Sequence, residues 1–175
     1  MNRFVLLALV LVFGIGCDDS PTSPSDPNVA RFTAILLPGN EVPPVVNADA
    51  SASGTMQLTM TVTRDSANNV TGASYDFVIN MTGFPANTTL TGAHIHAAPA
   101  GSNSGVVVGL PLTSSDTPLP TGQATLTKSG VSANNPANAA TVANNILNNP
   151  AGNYFNVHTT LNGGGAIRGQ LVRSN

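Results

Sequence analysis

The chain has 175 residues, of which 41% are hydrophobic and 8% charged, with a formal net charge of -2. That length suits one domain once a targeting segment is set aside, and the charged fraction lies far below the roughly 25% of an ordinary soluble domain. Glu41 is the sole glutamate and Lys128 the sole lysine, so there is no basic patch to support nucleic-acid binding.

The chain opens MNRFVLLALVLVFGIGC. Arg3 supplies a positive start, and Phe4 to Phe13 form an apolar run too short to span a bilayer. The small residues Gly14 and Gly16 lead to Cys17, so residues 1–16 read as a secretory signal. Cys17 in this place resembles the lipid-attachment site of bacterial lipoproteins, although Gly14 stands where such sites usually carry leucine. On that resemblance Cys17 becomes a lipidated N-terminus that anchors the protein to a bacterial membrane, in the periplasm or at the cell surface. A plainly secreted protein is the alternative. Residues 17–30 are polar and proline-rich and read as a tether, with a reach of roughly 40 Å. No second cysteine exists, so the domain expected over residues 31–175 must hold by packing and hydrogen bonds without a disulfide.

From Arg31 the hydrophobic period is two. Strands are predicted over Arg31–Leu37, then through SASGTMQLTMTVTRD, with Met56, Leu58, Met60 and Val62 on one face and a threonine-rich opposite face. A turn at DSANN leads into VTGASYDFVINM, with Tyr75, Phe77, Ile79 and Met81 inward, which makes an antiparallel hairpin. Further strands are expected at Thr91–Ala97, Gly105–Leu110, Gln123–Lys128, Tyr154–Leu161 and Ala166–Arg173, the last two joined at NGGG. One segment departs from this pattern. Asn135 as a cap, Pro136 at the first helical position and the stripe Ala139, Val142, Ala143 and Ile146 predict one short inserted helix over Ala137–Leu147. The whole reads as all-β, a sandwich or barrel of short strands.

Two of the three histidines lie together in TGAHIHAAPAGSNSG. Alternate strand residues point the same way, so His94 and His96 share a face, opposite the better core face of Ala93, Ile95 and Ala97. By the same count Phe155, Val157 and Leu161 face the core while Tyr154, Asn156 and His158 face away. Imidazole nitrogens suit zinc and copper, and a third histidine turns a weak pair into a credible mononuclear centre. Strand periodicity does not say whether the three converge. The plainer reading makes the histidines polar organisers of the loop AAPAGSNSG.

The segments FTAILLPGNEVPPV, GAHIHAAPAGSNSGVVVGL and NYFNVHTTLNGGGAIRGQL occur in this order and resemble the CHRD domain, named for chordin and widespread in bacterial secreted proteins. The resemblance runs from Phe32 to about Val172. It implies an antiparallel Greek-key β-sandwich, immunoglobulin- or superoxide-dismutase-like in class. Its hallmark polar positions fall on Glu41, His94, His96, Asn156, His158, Arg168 and Gln170. Chordin's role as a growth-factor antagonist does not transfer to a bacterial lipoprotein. We expect Glu41, His94, His96 and His158 at one end of the sandwich, with Arg168 close by. A three-residue hairpin loop would pair His158 with Arg168, whereas a two- or four-residue loop would put Gly169 there. Alternatively Arg168 pairs with Glu41 and the histidines bond loop carbonyls.

The histidine strand also resembles that of copper–zinc superoxide dismutases, but three histidines and no disulfide cannot build a dinuclear site. No serine nucleophile motif and no phosphate-binding loop is present. The sequence therefore points first to a non-catalytic, membrane-tethered binding or structural module. The next reading is a mononuclear copper or zinc protein using His94, His96 and His158, and after it a small metal-dependent redox enzyme.

Overall fold

The computed structural model describes residues 26–174. The expected signal, Cys17 and the expected tether as far as residue 25 lie outside the described residues. Ten strands are described: β1 (Val29–Leu36), β2 (Ser53–Arg64), β3 (Val70–Thr82), β4 (Thr88–His96), β5 (Val106–Gly109), β6 (Pro118–Leu119), β7 (Ala124–Val131), β8 (Tyr154–Thr159), β9 (Ile167–Gln170) and β10 (Val172–Arg173). One helix, α1 (Ala139–Asn148), precedes β8. One sheet has the order β10-β1-β2-β3-β7, and the other runs β5-β4-β8-β9 with β6 beside β4. All pairings are antiparallel. The order β10-β1-β2-β3 places a late strand beside the first of three consecutive ones, the Greek-key arrangement. The fold is thus the expected all-β sandwich, with two sheets rather than a closed barrel.

The alternation that predicted the strands also builds the core. Met56, Leu58, Met60 and Val62 of β2 and Tyr75, Phe77, Ile79 and Met81 of β3 are buried, while Thr55, Thr59, Thr61 and Thr63 are outward. Across the sandwich they meet Ile95, Phe155, Val157 and Ile167; the Phe77 and Phe155 rings lie 5.8 Å apart. Asn135 caps the helical segment by accepting from the Ala137 amide at 3.0 Å, and a 3-10 turn at Pro136–Asn138 precedes α1. Val142, Ala143 and Ile146 face inward, as their spacing predicts.

The structure departs from the expected elements in several places. β1 begins at Val29, so the last residues assigned to the tether belong to the domain. β6 is only two residues long and leaves no periodic signature. The expected final strand is broken at the buried Leu171, where the chain leaves β9 in one sheet and enters β10 in the other. β8 stops at Thr159, so Leu161 is exposed in the following loop rather than in the core. β4 ends at His96, so Ala97 lies beyond the strand and is exposed while Ala98 is buried.

Candidate metal centre

The register of the second sheet assembles the polar residues. Gly92 lies opposite His158, His94 opposite Asn156, and His96 opposite Tyr154. On the other side of β8, Tyr154 lies opposite Gln170 and Asn156 opposite Arg168. Because one face of a sheet carries alternate residues of every strand, these side chains form a single patch facing away from the core. Arg168 therefore shares the histidines' side. Its partner is Asn156, not His158, because the β8–β9 ladder ends at Val157–Ile167 and a longer loop follows.

The three imidazoles meet. The His94 ring centroid lies 4.9 Å from that of His158 and 5.8 Å from that of His96. One nitrogen from each of the three rings can be chosen so that all lie within 4.8 Å of one another. Gly92 makes this approach sterically open: a Cβ there would fall 2.5 Å from His94 Cε1. Zinc–imidazole bonds of about 2.0–2.1 Å would require the rings to draw closer together.

The hydrogen bonds fix which nitrogens are available. His96 Nδ1 lies 2.9 Å from the Ser104 carbonyl and His158 Nδ1 lies 2.9 Å from the Gly163 carbonyl. The Nε2 atoms of both rings lie 3.1 and 3.0 Å from the same atom, Asn156 Oδ1. These are four contacts to oxygen acceptors, and a neutral imidazole carries one N–H. Burial holds His96 below its ordinary value, and burial together with the neighbouring His158 and His96 pushes His94 down to about 4. With each Nδ1 turned to a backbone carbonyl, the two Nε2 atoms converge on one oxygen. His94 Nδ1 is buried and has no partner. Imidazole nitrogens gathered about one region, with two of the rings oriented by carbonyls behind them, are what a metal ion requires of histidine.

The remaining polar residues brace this arrangement. The Asn156 amide hydrogen-bonds the Glu41 carboxyl, which burial nevertheless raises to about 7 against the opposing charge of Arg168. Glu41 Oε1 is buried without a partner. Of the alternative reading, His96 and His158 do face loop carbonyls, while Arg168 acts on Glu41 through its charge and directs its hydrogen bonds elsewhere. Arg168 donates to Asn103 Oδ1 at 3.0 Å, to the Pro99 carbonyl at 3.1 Å and to the Ser102 carbonyl at 2.7 Å. Its Cζ sits 3.4 Å from the Tyr154 ring centroid, and His96 stacks on Tyr154 at 4.6 Å with 5° between planes. Gln170 Nε2 donates to the carbonyls of Ala98, Ala151 and Asn153. Arg168 and Gln170 thereby pin the 98–104 segment, which in turn presents the Ser104 carbonyl to His96.

Comparison with known protein families matches the CHRD domain over residues 32–171. The chain belongs to the CHRD family. The matched span includes Glu41, the three histidines, Asn156, Arg168 and Gln170. No curated protein and no solved structure matches the chain. In this CHRD domain the residues that sequence reasoning left without a role are Tyr154, Asn103, Ser104 and Gly163. Tyr154 shares the parity of Asn156 and His158, which was a readable signal. The other three act from loops, two of them through backbone carbonyls, and loops carry no period.

Proposed function

We propose that this CHRD domain is a non-catalytic extracytoplasmic module that binds one divalent transition-metal ion, zinc or copper, through His94, His96 and His158. The observation that carries the reading is the convergence of Nε2 of His96 and Nε2 of His158 on a single point while their Nδ1 atoms face carbonyls. The ion would supply positive charge to nitrogens that otherwise face an acceptor. Copper is expected to bind more tightly than zinc in vitro, following the usual divalent order. The lipid anchor at Cys17, with the tether behind it, would hold the module at a bacterial membrane. No helix among the described residues is long and apolar enough to cross one.

Metal titration of the purified protein by calorimetry tests this reading. One zinc or copper per chain is expected, with the His94→Ala/His96→Ala double variant losing it. Full binding by that variant, or none by the wild type, contradicts it. A purely structural polar network, in which the histidines only bond loop carbonyls, predicts no uptake.

A further inference from the structure

We propose that Asn156 is the fourth protein ligand of this centre, through Oδ1, which makes it a closed three-nitrogen, one-oxygen site without a position for an exogenous ligand. The inference rests on the three-histidine reading and deepens it by stating what kind of centre the histidines build.

The geometry comes from the central strand. Asn156 lies on β8 between His94 on β4 and Arg168 on β9, and it is 2% exposed. Its Oδ1 is 3.1 Å from His96 Nε2 and 3.0 Å from His158 Nε2. Bonds of about 2.0–2.1 Å in a tetrahedral site set neighbouring ligand atoms roughly 3.3 Å apart. Oδ1 therefore already stands close to a coordination edge from two of the three nitrogens. Each ring already turns Nδ1 to a backbone carbonyl, so Nε2 is the atom that each presents to Oδ1.

Glu41 explains why the oxygen, and not the nitrogen, of the amide faces the rings. The Asn156 side chain hydrogen-bonds the Glu41 carboxyl; an amide donates through its nitrogen, which leaves Oδ1 toward the histidines. A partner behind a ligand orients it. Glu41 is itself buried and backed by Gly165, where a Cβ would collide with the carboxyl. Glu41 is thus a positioning residue. Catalytic zinc sites keep three protein ligands and one open position, whereas structural sites fill all four. A fourth ligand from the protein places this centre with the structural kind.

The test uses cobalt(II), which adopts the tetrahedral geometry of zinc and whose visible bands report four- against five-coordination, with azide as the exogenous ligand. Wild-type protein loaded with one cobalt should show the intense bands of a four-coordinate ion, unchanged on adding azide. The Asn156→Ala variant should bind cobalt about tenfold or more weakly, and its visible bands should change on adding azide. An azide-induced change in the wild type overturns the proposal whether or not the variant folds. So does an Asn156→Ala variant with unchanged cobalt affinity and spectrum. Failure of the wild type to bind cobalt, zinc or copper at all overturns the three-histidine reading as well, so the two failures are told apart.

Discussion

At the scale of single residues, Glu41 carries the clearest pH signature. Burial raises its carboxyl from the ordinary 4.5 to about 7 in the folded protein. The folded state therefore holds the proton more tightly than the unfolded state does. That contribution to stability is fully present below about pH 4.5 and is lost as pH rises through about 7. The full shift corresponds to roughly 3 kcal/mol at most. Glu41→Gln, which cannot ionise, should raise the melting temperature of the metal-free protein at pH 8 and leave it nearly unchanged at pH 4.5. Equal effects at both pH values would show that Glu41 is not the titrating group. His94 has the opposite sign. Its ring is pushed from 6.5 down to about 4, so its contribution is present above pH 6.5 and is lost as pH falls toward 4.

At the scale of elements, the loop over the histidines is held from β9. Arg168 is 1% exposed, and its donors reach the side chain of Asn103 and the carbonyls of Pro99 and Ser102. A lysine keeps the charge but not the planar fork or the stack on Tyr154. Arg168→Lys should cost about 2–4 kcal/mol. Amide hydrogen exchange should accelerate through residues 99–104, with β2 and β3 losing only the global difference. Unchanged protection in that loop would show that Arg168 does not brace it. Elements also mark how far the sequence could be read. The long strands β2 and β3 and the cap of α1 were legible because each follows a local period or a local cap. The shared outward face of His94, His96 and His158 was legible for the same reason. Their convergence was not, since it depends on the register Gly92–His158 between strands more than sixty residues apart. The partner of Arg168 was equally hidden, because the donors reach a loop whose conformation no periodicity describes. Leu161 misled the core reading because its apolar side chain continues the alternation of β8 after the ladder has ended.

At the scale of the whole molecule, the sandwich divides its labour between two faces of one sheet. The inner face of β4, β8 and β9 closes the core with Ile95, Phe155, Val157 and Ile167, and the outer face carries the polar centre. His94, His96, Asn156 and His158 all sit on the two central strands of a packed sheet, not on free loops, which favours a fixed geometry. A bound ion should stabilise the fold by mass action, by about 2.7 kcal/mol at a free concentration one hundred times the dissociation constant. The predicted anchor is tested at this scale as well. Cys17→Ala should move the protein from the membrane fraction to the soluble extracytoplasmic fraction in a bacterial host, and unchanged fractionation would contradict lipidation at Cys17.

Nuclear magnetic resonance of the three imidazoles during a zinc titration tests the central claim most directly. The ring signals of His94, His96 and His158 should change together and be complete at one equivalent of zinc. Rings that respond at different equivalents, or a His158 ring that stays unmoved while the other two shift, would contradict a shared three-histidine centre.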